Sequence, residues 1–230
     1  MKKLFLILLL LVPGISFAEE YTCPNVYLNN ELPTVKYDKV LCFKDYSVLY
    51  STKYKIPLVS SEHLTSTELH GAEDINRKNS FHRELQLPVE DASNPKDYAK
   101  SGYDMGHMSP AGDMPDMSSQ YESFSLSNMT PQTPQLNRIV WRKIEGTVRA
   151  MAKQYGEVYV VTGAIVSDTS VEIHDGIKVP DLLYKSVYVP SNGASQVFVA
   201  PNDTTKTFKI MTLGSFAEEY GITPFPALKN

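Results

Sequence analysis

Cysteine is scarce in this chain: Cys23 and Cys42 are the two it has in 230 residues. With no histidine close in sequence to complete a tetrahedral set, they make a poor metal site. Nor is there an internal repeat, a low-complexity tract or a linker that would split the chain, so a solenoid or a string of small domains is excluded. Positive charge is not in excess. Lys and Arg number 22 against 26 Asp and Glu, a formal charge of −4. An acidic chain is no generic nucleic-acid sponge; it can handle nucleic acid through a local basic patch or a metal ion. Beyond Val12 no stretch is apolar enough to cross a bilayer.

What is present begins with a secretory signal over residues 1–18. Lys2 and Lys3 start it, Leu4 to Val12 form a short apolar run, and Ser16-Phe17-Ala18 places small residues at −3 and −1 of a cut before Glu19. The run is too short for a membrane span. The expected mature chain, residues 19–230, suits one domain. Losing two lysines and no acid takes its formal charge from −4 to −6. Export places it in a periplasm or outside the cell, and there an isolated cysteine pair is most simply a disulfide, Cys23 to Cys42.

Short mixed runs at Tyr46–Ser51 and Lys55–Val59 read as a hairpin. Residues 60–100 are polar and read as a long irregular excursion, carrying Arg77 and Arg83 around Phe81. Leu136 to Tyr155 reads as a helix, because Trp141, Ile144, Val148, Met151 and Tyr155 recur at spacings of three and four. At about 100° per residue Asn137 falls on that same apolar face, with Glu145 and Arg149 at its edge. Strands are expected at Glu157–Thr162, Leu182–Pro190, Gln196–Ala200 and Thr207–Thr212, and a closing helix at Ser215–Tyr220. The fold class is α+β.

Two segments carry chemistry. The first, Ser101 to Met114, holds His107 between Gly106 and Met108, with Asp104 three places before it. Gly106 permits a backbone approach that a Cβ would block. The second, Asn128 to Arg149, supplies an amide oxygen, a carboxylate and arginines. Phosphodiester hydrolysis needs a base for water, stabilisation of the charged phosphorane and a held leaving oxygen. Neutral imidazole suits the first task. Mg²⁺ suits the others and needs few protein ligands. These residue types permit the reaction without requiring it, since a histidine in a strand and polar groups on a helix are ordinary structural features. Met105, Met108, Met114, Met117 and Met129 crowd the same region. They read as flexible core filler, with a soft Cu(I) site built on Met108 and Met114 as the rival.

Tyr103-Asp-Met-Gly-His-Met108 resembles the Asp-Arg-Gly-His signature of the DNA/RNA non-specific endonucleases, the ββα-metal nucleases. Leu126-Ser-Asn-Met-Thr-Pro-Gln132, Leu136-Asn137, Trp141 and Ile144-Glu145 are similar to that family's second motif at matching intervals. The likeness runs over roughly residues 40–228, and two ordered motifs are far more specific than one. It implies a central, mainly antiparallel sheet flanked by helices. It implies His107 as general base, Asn137 as the direct ligand of Mg²⁺ (Mn²⁺ substituting), and Glu145 as the group that orients metal-bound water. Arg149 and Arg77 would bind phosphate, with Arg83 the alternative to Arg77, and Arg138 would add a substrate contact. Asp104 and Asn128 would support the site. DNA and RNA would both be substrates, with no obligate protein partner. The chain departs from the pattern at Met105, where the family has arginine; methionine cannot bind phosphate. A nucleic-acid-binding protein with catalysis lost or blunted is therefore the alternative function.

Overall fold

The computed structural model describes Cys23 and residues 25–228; the signal expected at residues 1–18 lies outside the described residues. The chain opens with three strands, β1 (Lys39–Cys42), β2 (Tyr46–Ser51) and β3 (Ile56–Thr65), then helix α1 (Ser66–Glu73). β4 (Asp104–His107), helix α2 (Met117–Ser123) and β5 (Met129–Gln132) follow. Next come helix α3 (Arg142–Tyr155), β6 (Glu157–Ile165) and the two-residue strands β7 (Glu172–Ile173) and β8 (Ile177–Lys178). β9 (Leu182–Val189), β10 (Ala194–Pro201), β11 (Lys209–Met211) and helix α4 (Leu213–Tyr220) complete the order.

Seven strands make one sheet in the order β1-β2-β3-β6-β9-β10-β11, with every neighbouring pair antiparallel. Alternation gives the sheet two buried faces. Leu64, Val158, Val160, Val187 and Phe198 pack under α3 with Trp141, Ile144 and Val148. Leu49, Val59, Val161, Tyr184 and Val197 pack on the other side against Phe216 of α4. Burying each of these large side chains contributes about 1.5–3 kcal/mol before entropy is counted. The register Ser60↔Thr162↔Lys185 sets a polar row into the α3 side of the sheet. A disulfide joins Cys23 to Cys42, the last residue of β1, with Cα atoms 5.2 Å apart. Among the described residues no helix is long and apolar enough to cross a membrane.

Three expectations need correction. Residues 60–100 are not irregular throughout: β3 runs on to Thr65, and α1 starts there on a capping box. Thr65 Oγ1 accepts from the Glu68 amide at 3.2 Å, and Glu68 accepts from the Thr65 amide at 2.8 Å. The Thr-x-x-Glu spelling is the signal that marks it. The helix expected over 136–155 is α-helical from Arg142 onward, whereas Leu136–Trp141 winds with π-type hydrogen bonds. A projection at about 100° per residue fails across such a turn. Asn137 is consequently half-buried at the cleft instead of lying on the apolar face. Tyr155, assigned to that face, is 37% exposed at the helix end, where Gly156 (φ 92°) stops the winding.

Candidate active site

β4 and β5 form a two-stranded ribbon, pairing Asp104 with Gln132 and His107 with Met129. With the helical stretch from Leu136 onward they make a β-β-α unit against the α3 face of the central sheet. Gly106 sits where a Cβ would lie 2.1 Å from the Gln132 side chain, so the glycine answers a close approach and not a turn.

The backbone after β4 is held closely. The Met108 amide donates to Asn128 O at 2.9 Å. The Asn128 side chain accepts from the Ser109 amide at 3.0 Å and donates to Ser109 O at 2.8 Å. Trp141 Nε1 donates to His107 O at 3.3 Å. Arg77 and Phe81 reach this place because their loop docks there. Leu126 N donates to His82 O at 2.9 Å, and buried Glu84 accepts from Ser125 Oγ at 2.6 Å.

His107 is 7% exposed and its Nε2 has no hydrogen-bond partner. The ring stands edge-on to Phe124, with centroids 4.9 Å apart, and tilts toward Phe81. Burial, helped by the Arg77 charge, pushes its pKa down to about 3. The imidazole is therefore neutral at physiological pH, with a nitrogen able to accept a proton.

Asp104 organises the amide. Asn137 Nδ2 donates to Asp104 Oδ2 at 3.0 Å. Fixing the nitrogen leaves the oxygen of Asn137 as the end that can ligate. Arg138 also grips Asp104, through Nε at 2.8 Å and a terminal nitrogen at 2.6 Å. It is thus engaged by the orienting carboxylate, and a purely substrate-directed role does not describe it. Arg83 is turned away, donating to the carbonyls of Glu84 and Leu87 at 3.0 and 3.2 Å. Arg77 lies 5.1 Å over the Phe124 ring.

His107, Asn137, Glu145, Arg149 and Arg77 line one cleft of about 290 Å³, together with Met105 and Arg142. A neighbouring cleft of about 450 Å³ shares Arg77, Met105 and Asn137 with it and continues past Phe81, Tyr103 and Arg138. Burial raises the Glu145 pKa to about 7 against the opposing pull of Lys185. Arg149 donates to Asp113 at 2.6 Å and approaches Glu145 at 3.9 Å. The donors suit a hard cation. Among the described residues no group of three or more His, Cys, Asp or Glu could hold a metal alone, while Mg²⁺ accepts one oxygen ligand, a nearby carboxylate and several waters. Met108 and Met114 lie in different apolar clusters, so their thioethers do not make the copper site considered from sequence.

Sequence reasoning missed Glu62, Asp113 and the placement of Lys185. All three are buried near Glu145, and pairing register across the sheet, invisible along the chain, is what gathers them.

The profile of the DNA/RNA non-specific endonucleases matches residues 23–223. The chain belongs to this family of nucleic-acid hydrolases. Nuclease C1 of Cunninghamella echinulata var. echinulata is 31% identical over 180 residues, covering 71% of each protein. A nuclease of Syncephalastrum racemosum is 34% identical over 187 residues, 78% of this chain and 55% of that one. The mitochondrial nuclease EXOG of Danio rerio is 30% identical over 214 residues, 82% of this chain and 61% of its own length. The chain thus spans little more than half the length of the latter two relatives. The crystal structure of an EndoG/EndoGI complex, described as a mechanism of EndoG inhibition, superposes with a TM-score of 0.74 at 28% identity. That match covers 81% of this chain and 85% of the other. The fold is that of a ββα-metal nuclease.

Proposed function

We propose that this protein is an exported, Mg²⁺-dependent endonuclease that hydrolyses phosphodiester bonds of DNA and RNA without sequence specificity. One observation carries the reading: a neutral imidazole with an unpartnered Nε2 shares a cleft with an amide whose nitrogen is already tied down. His107 takes the proton of the attacking water at Nε2. Asn137 would hold the cation through its oxygen, and Glu145 would orient water beside it. Arg149 and Arg77, with Arg142 at the rim, neutralise phosphate oxygens. A bound Mg²⁺, or Mn²⁺ in its place, would polarise the phosphate and stabilise the leaving oxygen. Such a site grips backbone phosphates and reads no base edges, which is the physical meaning of non-specificity. Export to a periplasm or the medium rests on residues 1–18 and on the Cys23–Cys42 bond; some relatives are mitochondrial.

Plasmid DNA and RNA incubated with wild type and with His107→Ala, each with and without EDTA, test the proposal. Wild type with Mg²⁺ is expected to degrade both polymers, and either the substitution or EDTA to stop it. Intact polymers in the wild-type Mg²⁺ lane would reject catalysis. Retention of DNA on a filter in that case would favour the binding-only reading, for which Met105 is the specific motive.

A further inference from the structure

Lys185 sits in the middle of the central sheet, on β9 between Thr162 of β6 and Phe198 of β10, and is 1% exposed. A buried ammonium is costly unless its donors find acceptors and its charge a counter-charge. Its counter-charge is held loosely: Glu62 Oε1 lies 3.8 Å away, beyond hydrogen-bond reach. Two of its donors are used elsewhere, on Thr162 Oγ1 and, at 3.2 Å, on Met108 O. That carbonyl belongs to the residue after His107. The other clamps on this stretch, from Asn128 and Trp141, come from within the β-β-α unit. Lys185 and Ser60, whose Oγ lies 2.8 Å from Ser109 Oγ, tie it to the seven-stranded sheet. A four-residue strand paired with one other is marginal on its own.

We propose that Lys185 is a positioning residue for the general base: its ammonium holds the Met108 carbonyl and so fixes His107 relative to the helix that carries Asn137 and Glu145. The proposal rests on the nuclease reading of the cleft. A misplacement of about 1 Å in such a site costs on the order of 10²-fold in rate. The acids that face Lys185 are Glu62 on β3, Asp113 after β4 and Glu145 on α3. None of them accepts a hydrogen bond from it, so they do not explain why its donors go to Met108.

Lys185→Met alone would leave Glu62 buried without a partner, so the test uses Lys185→Met together with Glu62→Leu. Replacing a buried pair by apolar groups is usually tolerated. Three things are measured: kcat and KM on linear duplex DNA with Mg²⁺, Tm by circular dichroism, and the imidazole resonances of the five histidines by NMR without nucleic acid. The expected result is a kcat about 10- to 100-fold lower with KM within about two-fold. Tm stays near wild type, and the His107 resonances move while the other four stay. Wild-type kcat with unmoved His107 resonances overturns the assignment. So does a variant that cannot fold, or one that loses rate and Tm together with His107 in place, since either marks the pair as ordinary core. If wild type itself cleaves nothing, the nuclease reading fails, while the His107 resonances still decide this one.

Discussion

His107 carries the base assignment, yet its own titration should not shape the pH profile. With a pKa near 3 it stays neutral through the working range. An acid limb in the profile therefore falls to Glu145, whose pKa is raised to about 7. At sub-saturating Mg²⁺, kcat/KM should fall as pH drops through about 7, because that parameter reports the free enzyme. Glu145→Gln should lower activity and remove the limb; an unchanged limb in that variant would show another group responsible. Met105 supports a second prediction. It is half-buried at the junction of the two clefts. An arginine stem can follow the methionine path with its guanidinium in the cleft. Met105→Arg should lower KM by about tenfold, near the lower end of what a hydrogen bond to a charged group contributes, with EDTA still abolishing turnover. A higher KM in the variant would mean that this chain has reshaped the subsite around methionine. That His107, Asn137, Glu145 and Arg149 share a cleft could be expected from the chain, the first three from short motifs and Arg149 from helical spacing. Glu62 was not legible, because it falls in a stretch that reads as irregular; the placement of Lys185 was not, because the strand register that brings it to Thr162 cannot be seen along the chain.

Strands and helices were legible where periodicity was regular. The hairpin of β2 and β3, the buried run of β6 and the stripe of α3 follow from alternation and three-four spacing. The π-type turn at Leu136–Trp141 was not, since nothing in the spelling of those six residues breaks helical spacing. What the turn achieves is placement: it swings Asn137 from the core stripe to the cleft, where Asp104 meets it. The start of α1 could have been read, and its cap gives a clean test away from the chemistry. Thr65→Ala removes the acceptor for the Glu68 amide. It should lower unfolding free energy by about 1 kcal/mol in a denaturant titration, with kcat unchanged. A fall in kcat at full folding would place α1 in the functional apparatus, contrary to its position here.

Taken as a whole, the molecule confines several titratable groups between its sheet and its β-β-α unit, and this sets how stability depends on pH. Burial raises the Glu145 pKa from 4.5 to about 7, and raises Glu62 and Asp113 as well. A carboxyl raised in the folded state holds a proton that the unfolded chain has already released. Stability then falls as pH rises from 4.5 through about 7. His107 has the opposite sign. Its folded pKa is lowered from 6.5 to about 3, so it adds stability as pH rises across that window. Where the two windows overlap, one histidine opposes at least two glutamates, and the glutamates prevail. The metal-free protein, with EDTA present, should therefore melt at a higher temperature near pH 5.5 than near pH 8, measured by calorimetry in matched ionic strength. Adding Mg²⁺ at pH 8 should recover part of the difference, because a ligand of the folded state alone stabilises it and a cation favours ionised Glu145. Glu145→Gln should flatten the slope below about pH 7. A Tm that climbs steadily from pH 5.5 to 8 in the metal-free wild type would mean these carboxyls are ionised and paired when the protein folds, and Glu145 could not then be the group behind the acid limb.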